Sequence, residues 1–407
     1  MIEITTLSCG MRFVYDHIPG CRSISAGVWI GSGSRFESTR YWGISHFIEH
    51  MLFKGTQRRT ARQIAEEMDG VGGQINAFTA RDCTCFYTKT LDEHLDLALD
   101  LLSDMLLHSK FEEKDILTEK SVVKEELDMY EDTPEELVHD LLADVCYHGH
   151  PIGKNILGSP QTIDSFDLQK IRQYMDMRYC ADDMVLAASG SLDPAVMVEK
   201  AEAYFGGVSQ KPSRSEITAV PVFTTGNDYR TKAVEQAHIA VAYPGIPYGH
   251  PDLYALMLVS NILGGGMSSR LFQSLREEKG LAYSVYAYPN IYQDTGYITV
   301  YAGCAKEKQR QAAEMIYDEI ENLQKNGITR QELERTKQQM KGSFLLSNET
   351  TGSRMSGAGK QLLLYGRVKS DQEILNLTEA VDMESAARAA ALFERAEASE
   401  CIVSPEA

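Results

Sequence analysis

Two histidines and a glutamate lie close together near residue 50, in the run Gly43-Ile44-Ser45-His46-Phe47-Ile48-Glu49-His50-Met51-Leu52-Phe53. In a helix, His46 and His50 lie one turn apart on the same face, with Glu49 beside them. The apolar residues of the run are numerous enough to bury such a helix. Two imidazoles on one face bind zinc, and an adjacent carboxylate takes a proton from water. The run therefore predicts a helix that holds a metal ion and activates water.

The order H-x-x-E-H reverses the commoner H-E-x-x-H order, and both are signatures of metallopeptidases. The alternative is a pair of partly buried helix histidines beside a solvated glutamate, which needs no metal. A third protein ligand near the two histidines would favour a metal site over this alternative. A helix expected at about 112–130 carries Glu119 and Glu126, which lie two turns apart on one face. The adjacent carboxylate of Glu125 leaves the choice of a third ligand open at this point.

The chain has 407 residues, enough for two domains with separate cores. Its formal net charge of −18 argues against nucleic acid as the main partner and fits a site that attracts cationic ligands, although acidity alone also keeps a protein soluble. The N-terminus shows no secretory or transit signal, and no apolar run is long enough to span a membrane. The eight cysteines are scattered without a C-x-x-C pair. We therefore expect a cytoplasmic protein with reduced cysteines.

The segments after the histidine run carry signals for regular structure. Thr60-Ala61-Arg62-Gln63 is a capping box that opens a helix ending at Gly70. The runs 74–79 and 84–90 predict a β-hairpin close to the histidine helix. An unpaired edge of this hairpin is suited to binding an extended peptide as an added strand.

Two further expectations concern helices. Ser165 is expected to cap a helix that reaches Tyr179. Val122 and Met129 are expected on the buried side of the helix at about 112–130, together with its other apolar residues.

The second half of the chain repeats the order of elements found in the first half. In each half a strand leads through a loop to a helix, then to a hairpin, paired helices and a final strand. A polar stretch with Gly, Pro and Ser at 206–215 separates the two halves. The sequence therefore predicts a duplicated α+β domain, with an N-terminal domain at 1–210 and a homologous C-terminal domain at 218–407.

With these residues assembled, the chain resembles the pitrilysin/insulinase family of zinc metallopeptidases, and within it the branch similar to mitochondrial processing peptidase. The family spacing places the third zinc ligand at Glu126 and a further glutamate at Glu119. The segment Gly72-Gly73-x-x-Asn76-Ala77-x-Thr79 resembles the family's substrate-binding edge strand. Arg276 and Tyr283 resemble an Arg/Tyr pair in the family's second half, for which the alternative is a surface arginine and a strand tyrosine. The likeness extends over the whole chain.

The resemblance implies a role for each of these residues. Zinc is held by His46, His50 and Glu126, and Glu49 is the base that takes a proton from water and passes it to the leaving amine. Glu119 orients a ligand from the second coordination shell. Tyr283 stabilises the oxyanion and Arg276 anchors a peptide carbonyl. The peptide lies along Asn76, Ala77, Phe78 and Thr79.

The resemblance also implies the assembly and the architecture. Each of two homologous domains has a mostly antiparallel sheet with helices packed on one face. The expected protein is a homodimer that encloses a chamber, with Arg276 and Tyr283 supplied by the partner chain and with peptides or unfolded segments as substrates. Separately, the acidity of the chain favours basic peptides. Three alternatives remain: a non-catalytic relative acting as a scaffold, one subunit of a heterodimeric peptidase, and a metal-binding or peptide-binding module without turnover. The first predicts loss of the metal-site residues, and this sequence retains all of them.

Overall fold

A computed structural model describes residues 2–217 and 219–405. The chain forms two compact units, each made from separate segments of the sequence. Unit 1 consists of Met1–Leu127, Asn155–Thr218 and Leu345–Ser370, and unit 2 consists of Asp128–Lys154, Ala219–Phe344 and Asp371–Ala407. The division of the sequence into homologous domains at 1–210 and 218–407 stays a prediction.

The strands of the described chain are numbered along the sequence. They are β1 (Ile2–Thr6), β2 (Arg12–His17), β3 (Ser23–Ile30), β4 (Gln74–Thr79), β5 (Thr84–Leu91), β6 (Met184–Gly190), β7 (Asn227–Lys232), β8 (Ala237–Pro244), β9 (Ala282–Ile291), β10 (Gly296–Cys304) and β11 (Ser399–Pro405).

The α-helices are numbered in the same way. They are α1 (Ile44–Leu52), α2 (Ala61–Gly70), α3 (Leu95–His108), α4 (Glu113–Asp132), α5 (Pro134–Cys146), α6 (Pro160–Asp164), α7 (Leu168–Arg178), α8 (Pro194–Phe205), α9 (Leu253–Gly264), α10 (Gln309–Asn326), α11 (Arg330–Ser347), α12 (Thr351–Tyr365), α13 (Asp371–Glu379) and α14 (Met383–Ala390).

Unit 1 is built on a six-stranded sheet in the order β1-β2-β6-β3-β5-β4. The strands pair antiparallel except for β2 and β6, which run parallel. Alternate side chains enter opposite faces, so Phe13 and Tyr15 lie in one core and Val14 lies in another. Helices α1, α3 and α8 cover the first face, while α12 packs on the second. Because both faces are covered, β3 and β6 are buried along almost their whole length.

Unit 2 repeats this architecture. Its sheet has the order β7-β11-β8-β10-β9, with a parallel pair, β7 and β11, at the place of β2 and β6. Helices α9, α10 and α14 cover one face, and α5 packs on the other. The predicted α+β fold with two homologous domains is therefore confirmed. Each sheet also has a helix on its second face, and that helix comes from the opposite half of the sequence.

Of two predicted helix caps, one is correct and one is wrong. Thr60 and Gln63 form the predicted capping box of α2. The predicted Ser165 cap is wrong: Ser165 ends the short α6, and the Asp167 carboxylate accepts the Lys170 N–H to open α7. Aspartate, being charged, is the stronger acceptor for the free N–H groups of a first turn.

The expected burial of Val122 and Met129 is also wrong, since their exposed fractions are 41% and 69%. The buried positions of α4 are Ile116, Glu119, Val123 and Leu127. Their spacing of three and four residues defines one face, and Val122 and Met129 lie off it. Because a glutamate occupies one of the buried positions, a search for apolar residues alone does not identify this face.

The cysteines are all free, as expected from their scattered positions. No helix in the described ranges is both long and apolar enough to cross a lipid bilayer.

Candidate metal centre

Helix α1 is held in place by a continuous apolar stripe. Its fully buried members are Ile44, Phe47, Ile48, Met51 and Leu52, which all lie in the first core of unit 1. Burial of five large apolar side chains outweighs the weak intrinsic stability of so short a helix. The remaining face presents the two histidines and Glu49.

The N-terminus of α1 is fixed by the buried carboxylate of Glu37. Its two oxygens accept the backbone N–H groups of Gly43 and Ser45 at 2.7 and 2.8 Å. These two bonds satisfy N–H groups that have no partner within the helix. Gly43 has a φ of 91°, and a Cβ atom there would lie 2.5 Å from the carbonyl oxygen of Leu157. Only glycine fits at this start of the helix without displacing its neighbours.

Three candidate ligands converge beside α1. The Nε2 atom of His50 lies 3.4 Å from Oε2 of Glu126, and the Nε2 atom of His46 lies 3.7 Å from Oε1 of the same residue. One ligand atom from each of the three side chains lies within 4.8 Å of the other two. Glu126 comes from α4, on which its neighbour Glu125 is exposed to solvent. The structure thus brings together the predicted set of His46, His50 and Glu126.

This donor set fits a zinc ion. Two ligand atoms about 2.1 Å from a tetrahedral zinc lie roughly 3.4 Å apart, close to the two separations given above. Neither ring nitrogen of His46 has a hydrogen-bond partner within the described chain: Nδ1 is buried, and Nε2 lies too far from Glu126. A buried imidazole without partners is costly, and a metal ion on Nε2 would provide one. No other cluster of three such side chains occurs among the residues described.

A second layer of contacts orients His50. Its Nδ1 atom donates to Oε2 of Glu119 at 3.0 Å, and the other oxygen of Glu119 forms an ion pair with Lys54. The Glu119 side chain is only 2% exposed, so its charge is compensated by these two neighbours. A hydrogen bond at Nδ1 leaves Nε2 free to face Glu126 and a metal ion. The structure thus places Glu119 behind His50, and its role in orienting a metal ligand stays a prediction.

The two histidines have pKa values shifted in opposite directions. Burial, with a contribution from the charge of His50, lowers the pKa of His46 to about 4. Burial also acts on His50, but hydrogen bonds to Glu119 and Glu126 outweigh it and raise the pKa of His50 to about 9. The hydrogen bond from His50 lowers the pKa of Glu126. His46 is thus a neutral ligand near pH 7, whereas a metal ion must displace a proton from His50.

Glu49 lies beside the ligands without belonging to their set. Its Oε2 atom accepts a hydrogen bond from the Thr79 hydroxyl at 2.6 Å. Burial raises the pKa of Glu49, and the bond from Thr79 opposes this shift. A carboxylate with a raised pKa is better matched to accepting and returning a proton near neutral pH.

Thr79 is the last residue of β4, which lies at the edge of the sheet as predicted. The N–H of Ala77 donates to the Asn76 side chain at 2.8 Å instead of to β5, so the backbone of Ala77 faces the open edge. Phe78 lies on the other side of the strand, with its ring 5.5 Å from that of Trp29. The edge therefore offers a backbone donor close to Glu49.

Arg276 and Tyr283 belong to unit 2, where the structure brings them together. Arg276 lies in a π-helical segment, Phe272–Glu278, a rare conformation that often occurs at functional sites. Its guanidinium lies over the rings of Phe272 and Tyr283, at 4.8 and 5.1 Å from their centroids. Tyr283 is 73% exposed, and Arg276 forms no ion pair with the described residues. Both side chains are therefore accessible to a molecule that binds at this surface of unit 2.

Sequence reasoning missed two residues that support the site. Lys54 follows His50 by one helical turn, and this spacing is the signal that could have placed it beside the metal helix. Glu37 lies in a loop before α1, and nothing in the local pattern distinguishes it from a solvated acid.

Comparison with known proteins gives two adjacent family matches. The profile described as insulinase (peptidase family M16) matches residues 12–160, and the profile described as peptidase M16 inactive domain matches residues 165–340. A zinc protease of Bacillus subtilis, YmxG, which is called uncharacterized, is 46% identical over 94% of this chain and 93% of its own length. The chain belongs to the M16 peptidase family.

Other M16 proteins show similar coverage. An uncharacterized zinc protease of Streptomyces coelicolor, SCO5738, is 36% identical over 92% of this chain and 83% of its own length. The crystal structure of a peptidase M16 inactive domain from Pseudomonas fluorescens superposes with a TM-score of 0.93, at 18% identity and with 100% and 98% of the two chains covered. A protease from Helicobacter pylori gives a TM-score of 0.91, at 23% identity and with 100% and 99% coverage. These two structures share the fold of this M16 chain.

Proposed function

We propose that this M16 protein is a zinc-dependent endopeptidase that hydrolyses peptides or unfolded segments. The observation that carries the proposal is the convergence of His46, His50 and Glu126, with Glu49 alongside them. The names of its relatives as zinc proteases support the choice of metal. Zinc bound by these three side chains would lower the pKa of water to about 7 and polarise the scissile carbonyl.

Glu49 is the proposed general base. It takes the proton of the attacking water and then gives it to the leaving amine, so no covalent intermediate with the protein forms. The Thr79 hydrogen bond holds one carboxylate oxygen in place, which fixes the direction of the other. Glu119 and Lys54 keep His50 in the orientation that presents Nε2.

The open edge of β4 is the proposed peptide-binding strand. A substrate that pairs with Ala77 would replace the hydrogen bond that its N–H now makes with the Asn76 side chain. Asn76, Phe78 and Thr79 lie along the same strand and would flank the peptide. Pairing of this kind recognises backbone, and it therefore selects extended or unfolded segments over folded domains.

Arg276 and Tyr283 are proposed to contact the peptide carbonyl and the oxyanion. Their mutual stacking and lack of other ionic partners support a role in ligand binding. We propose that they act from the partner chain of a homodimer that encloses the substrate, as the family resemblance implies. One chain carries both this pair and the complete zinc set, so two identical chains would suffice. The free cysteines support a reducing, cytoplasmic location.

Removal of the metal tests this proposal directly. Dialysis against a chelator should abolish hydrolysis of a quenched-fluorescent peptide, and one equivalent of zinc should restore it. Full activity in protein shown to be metal-free would contradict the proposal. The scaffold alternative requires loss of metal-site residues, and the complete set argues against it.

A further inference from the structure

A cavity of about 600 Å³ lies beside the open edge strand, between α2 and β4. Its walls include the apolar side chains of Phe53, Ile64, Met68 and Ile75. Asp69 is the acidic residue among those that line the cavity. The site is therefore mostly apolar with one acidic group, which is the composition of a pocket that orients a ligand.

Asp69 has no cationic partner within the described residues. The neighbouring acids of α2 do have partners, since Glu66 pairs with Arg62 and Glu67 pairs with Arg59. Asp69 is also the next-to-last residue of α2, where the helix dipole adds to its negative charge. An acid in this position lowers helix stability unless a cation approaches it. The cavity therefore combines an apolar wall with a solvent-exposed acid that has no cationic partner among the described residues.

The cavity is continuous with the proposed peptide-binding strand. Ile75 and Asn76 line it and also belong to β4. Ile75 precedes Thr79 by four residues, about 13 Å along an extended chain. Thr79 contacts Glu49, so the cavity lies at the far end of β4 from the catalytic carboxylate. A peptide added to this edge would therefore place a side chain at the cavity about four residues from the one facing Thr79.

We propose that this cavity is a specificity subsite for a lysine or arginine side chain of the bound peptide. The aliphatic stem of such a side chain would lie against the partly exposed side chains of Phe53 and Ile75, and its charged end would reach the Asp69 carboxylate. A purely apolar side chain would fill the same space but leave the acid without a partner. The proposal rests on peptide binding at β4, which is part of the proposed function.

Measurements of peptide binding and of peptide hydrolysis test the subsite and the peptidase proposal separately. In the Glu49→Gln protein, affinities are measured for uncharged peptides in which a single lysine is moved along the chain. A matched set carries norleucine, which has the lysine stem without the charge. At one position, about four residues from the scissile bond, lysine should bind about fivefold more tightly than norleucine.

The double variant Glu49→Gln/Asp69→Asn should lose this preference, with a lysine-to-norleucine ratio near one. Glu66→Gln in place of Asp69→Asn is the matched control and should keep the preference. Retention of the preference in Asp69→Asn, its absence at every position, or no peptide binding at all would overturn the subsite. A lysine preference in binding without any hydrolysis by the wild type would leave the subsite intact and contradict the peptidase proposal.

Discussion

At the scale of single residues, the candidate metal site includes groups that lie behind the ligands and hold them in place. One carboxylate oxygen of the almost fully buried Glu119 contacts His50, and the other contacts Lys54. Removing either neighbour leaves a buried charge poorly compensated and frees the imidazole to rotate. The effect should therefore appear in metal affinity before it appears in the fold.

Glu119→Gln is expected to weaken zinc binding about 10- to 100-fold, and Lys54→Met to weaken it about tenfold. Competition with a chromophoric chelator measures both. Lys114→Met is the matched control, since Lys114 lies on the same helix as Glu119 but is 75% exposed and pairs with Glu112. Unchanged affinity in both test variants would show that the contacts behind His50 do not orient it.

The three candidate metal ligands were predictable, two of them from their local spacing and the third from family resemblance. His46 and His50 follow from their spacing, and Glu126 follows from family resemblance. The side chain of Glu37 could not be predicted, since its role arises from a loop that folds back on the start of α1. Thr79 was expected beside the peptide, and the structure adds its hydrogen bond to Glu49.

At the scale of secondary-structure elements, β4 presents a donor that the sheet does not use. Ala77→Pro removes the N–H at the open edge without removing a bond to β5. We expect KM for peptides to rise about tenfold with a smaller change in kcat, because one hydrogen bond to bound substrate is lost. Steady-state kinetics measure this change. Ala77→Gly keeps the N–H and is the control, and an unchanged KM in the proline variant would place the peptide elsewhere.

The start of α11 gives a prediction for pH. Glu332 is the acidic member of a cap with Thr329 and also pairs with Arg270. Burial opposes ionisation, but these hydrogen bonds and the charge of Arg270 lower the pKa of Glu332 from 4.5 to about 2. Because the pKa is lowered in the folded state, the stabilisation is complete above pH 4.5 and is lost as the pH falls toward 2.

Glu332→Gln should therefore lower the free energy of unfolding by about 1–2 kcal/mol at pH 7, and this difference should shrink toward pH 3. Urea denaturation at several pH values measures it. Glu314→Gln removes an exposed i,i+4 pair with Arg310 and should change stability by no more than about 0.5 kcal/mol. A difference for Glu332→Gln that grows as the pH falls would contradict the assigned pKa.

Most elements were predictable from caps and periodicity, but their partners were not. Helices α5 and α12 have ordinary amphipathic sequences, which do not specify the sheet on which they pack. Each covers the second face of a sheet whose strands come mainly from the other half of the chain. Local patterns predict that an apolar face is buried, while the choice of partner depends on contacts distant in sequence.

At the scale of the whole molecule, only one of the two homologous units carries a candidate metal site among the described residues. Helix α9 follows β8 in unit 2 as α1 follows β3 in unit 1. The sequence of α9 is Leu-Tyr-Ala-Leu-Met-Leu-Val-Ser-Asn-Ile-Leu-Gly, which contains no histidine, cysteine, aspartate or glutamate. The proposed contribution of the second half is therefore substrate contact through Arg276 and Tyr283, not metal binding.

The proposed homodimer predicts complementation between two inactive variants. Glu49→Gln lacks the base, and Arg276→Ala lacks the proposed carbonyl anchor. If the anchor acts in the partner's site, mixed dimers contain one intact site, and a fully exchanged mixture should recover about one quarter of wild-type activity. Peptide hydrolysis before and after subunit exchange measures the recovery. No recovery in a mixture shown to contain mixed dimers would mean that Arg276 acts within its own chain.

The most direct test of the central claim compares the wild type with Glu49→Gln, measuring zinc content and hydrolysis of a quenched-fluorescent peptide for both. Glutamine keeps the size of the side chain but cannot take the proton from water. We predict equal zinc content in the two proteins and a loss of kcat of at least about 10²-fold in the variant. Equal activity in the two zinc-loaded proteins, or a wild type that binds no zinc after reconstitution, would contradict the account.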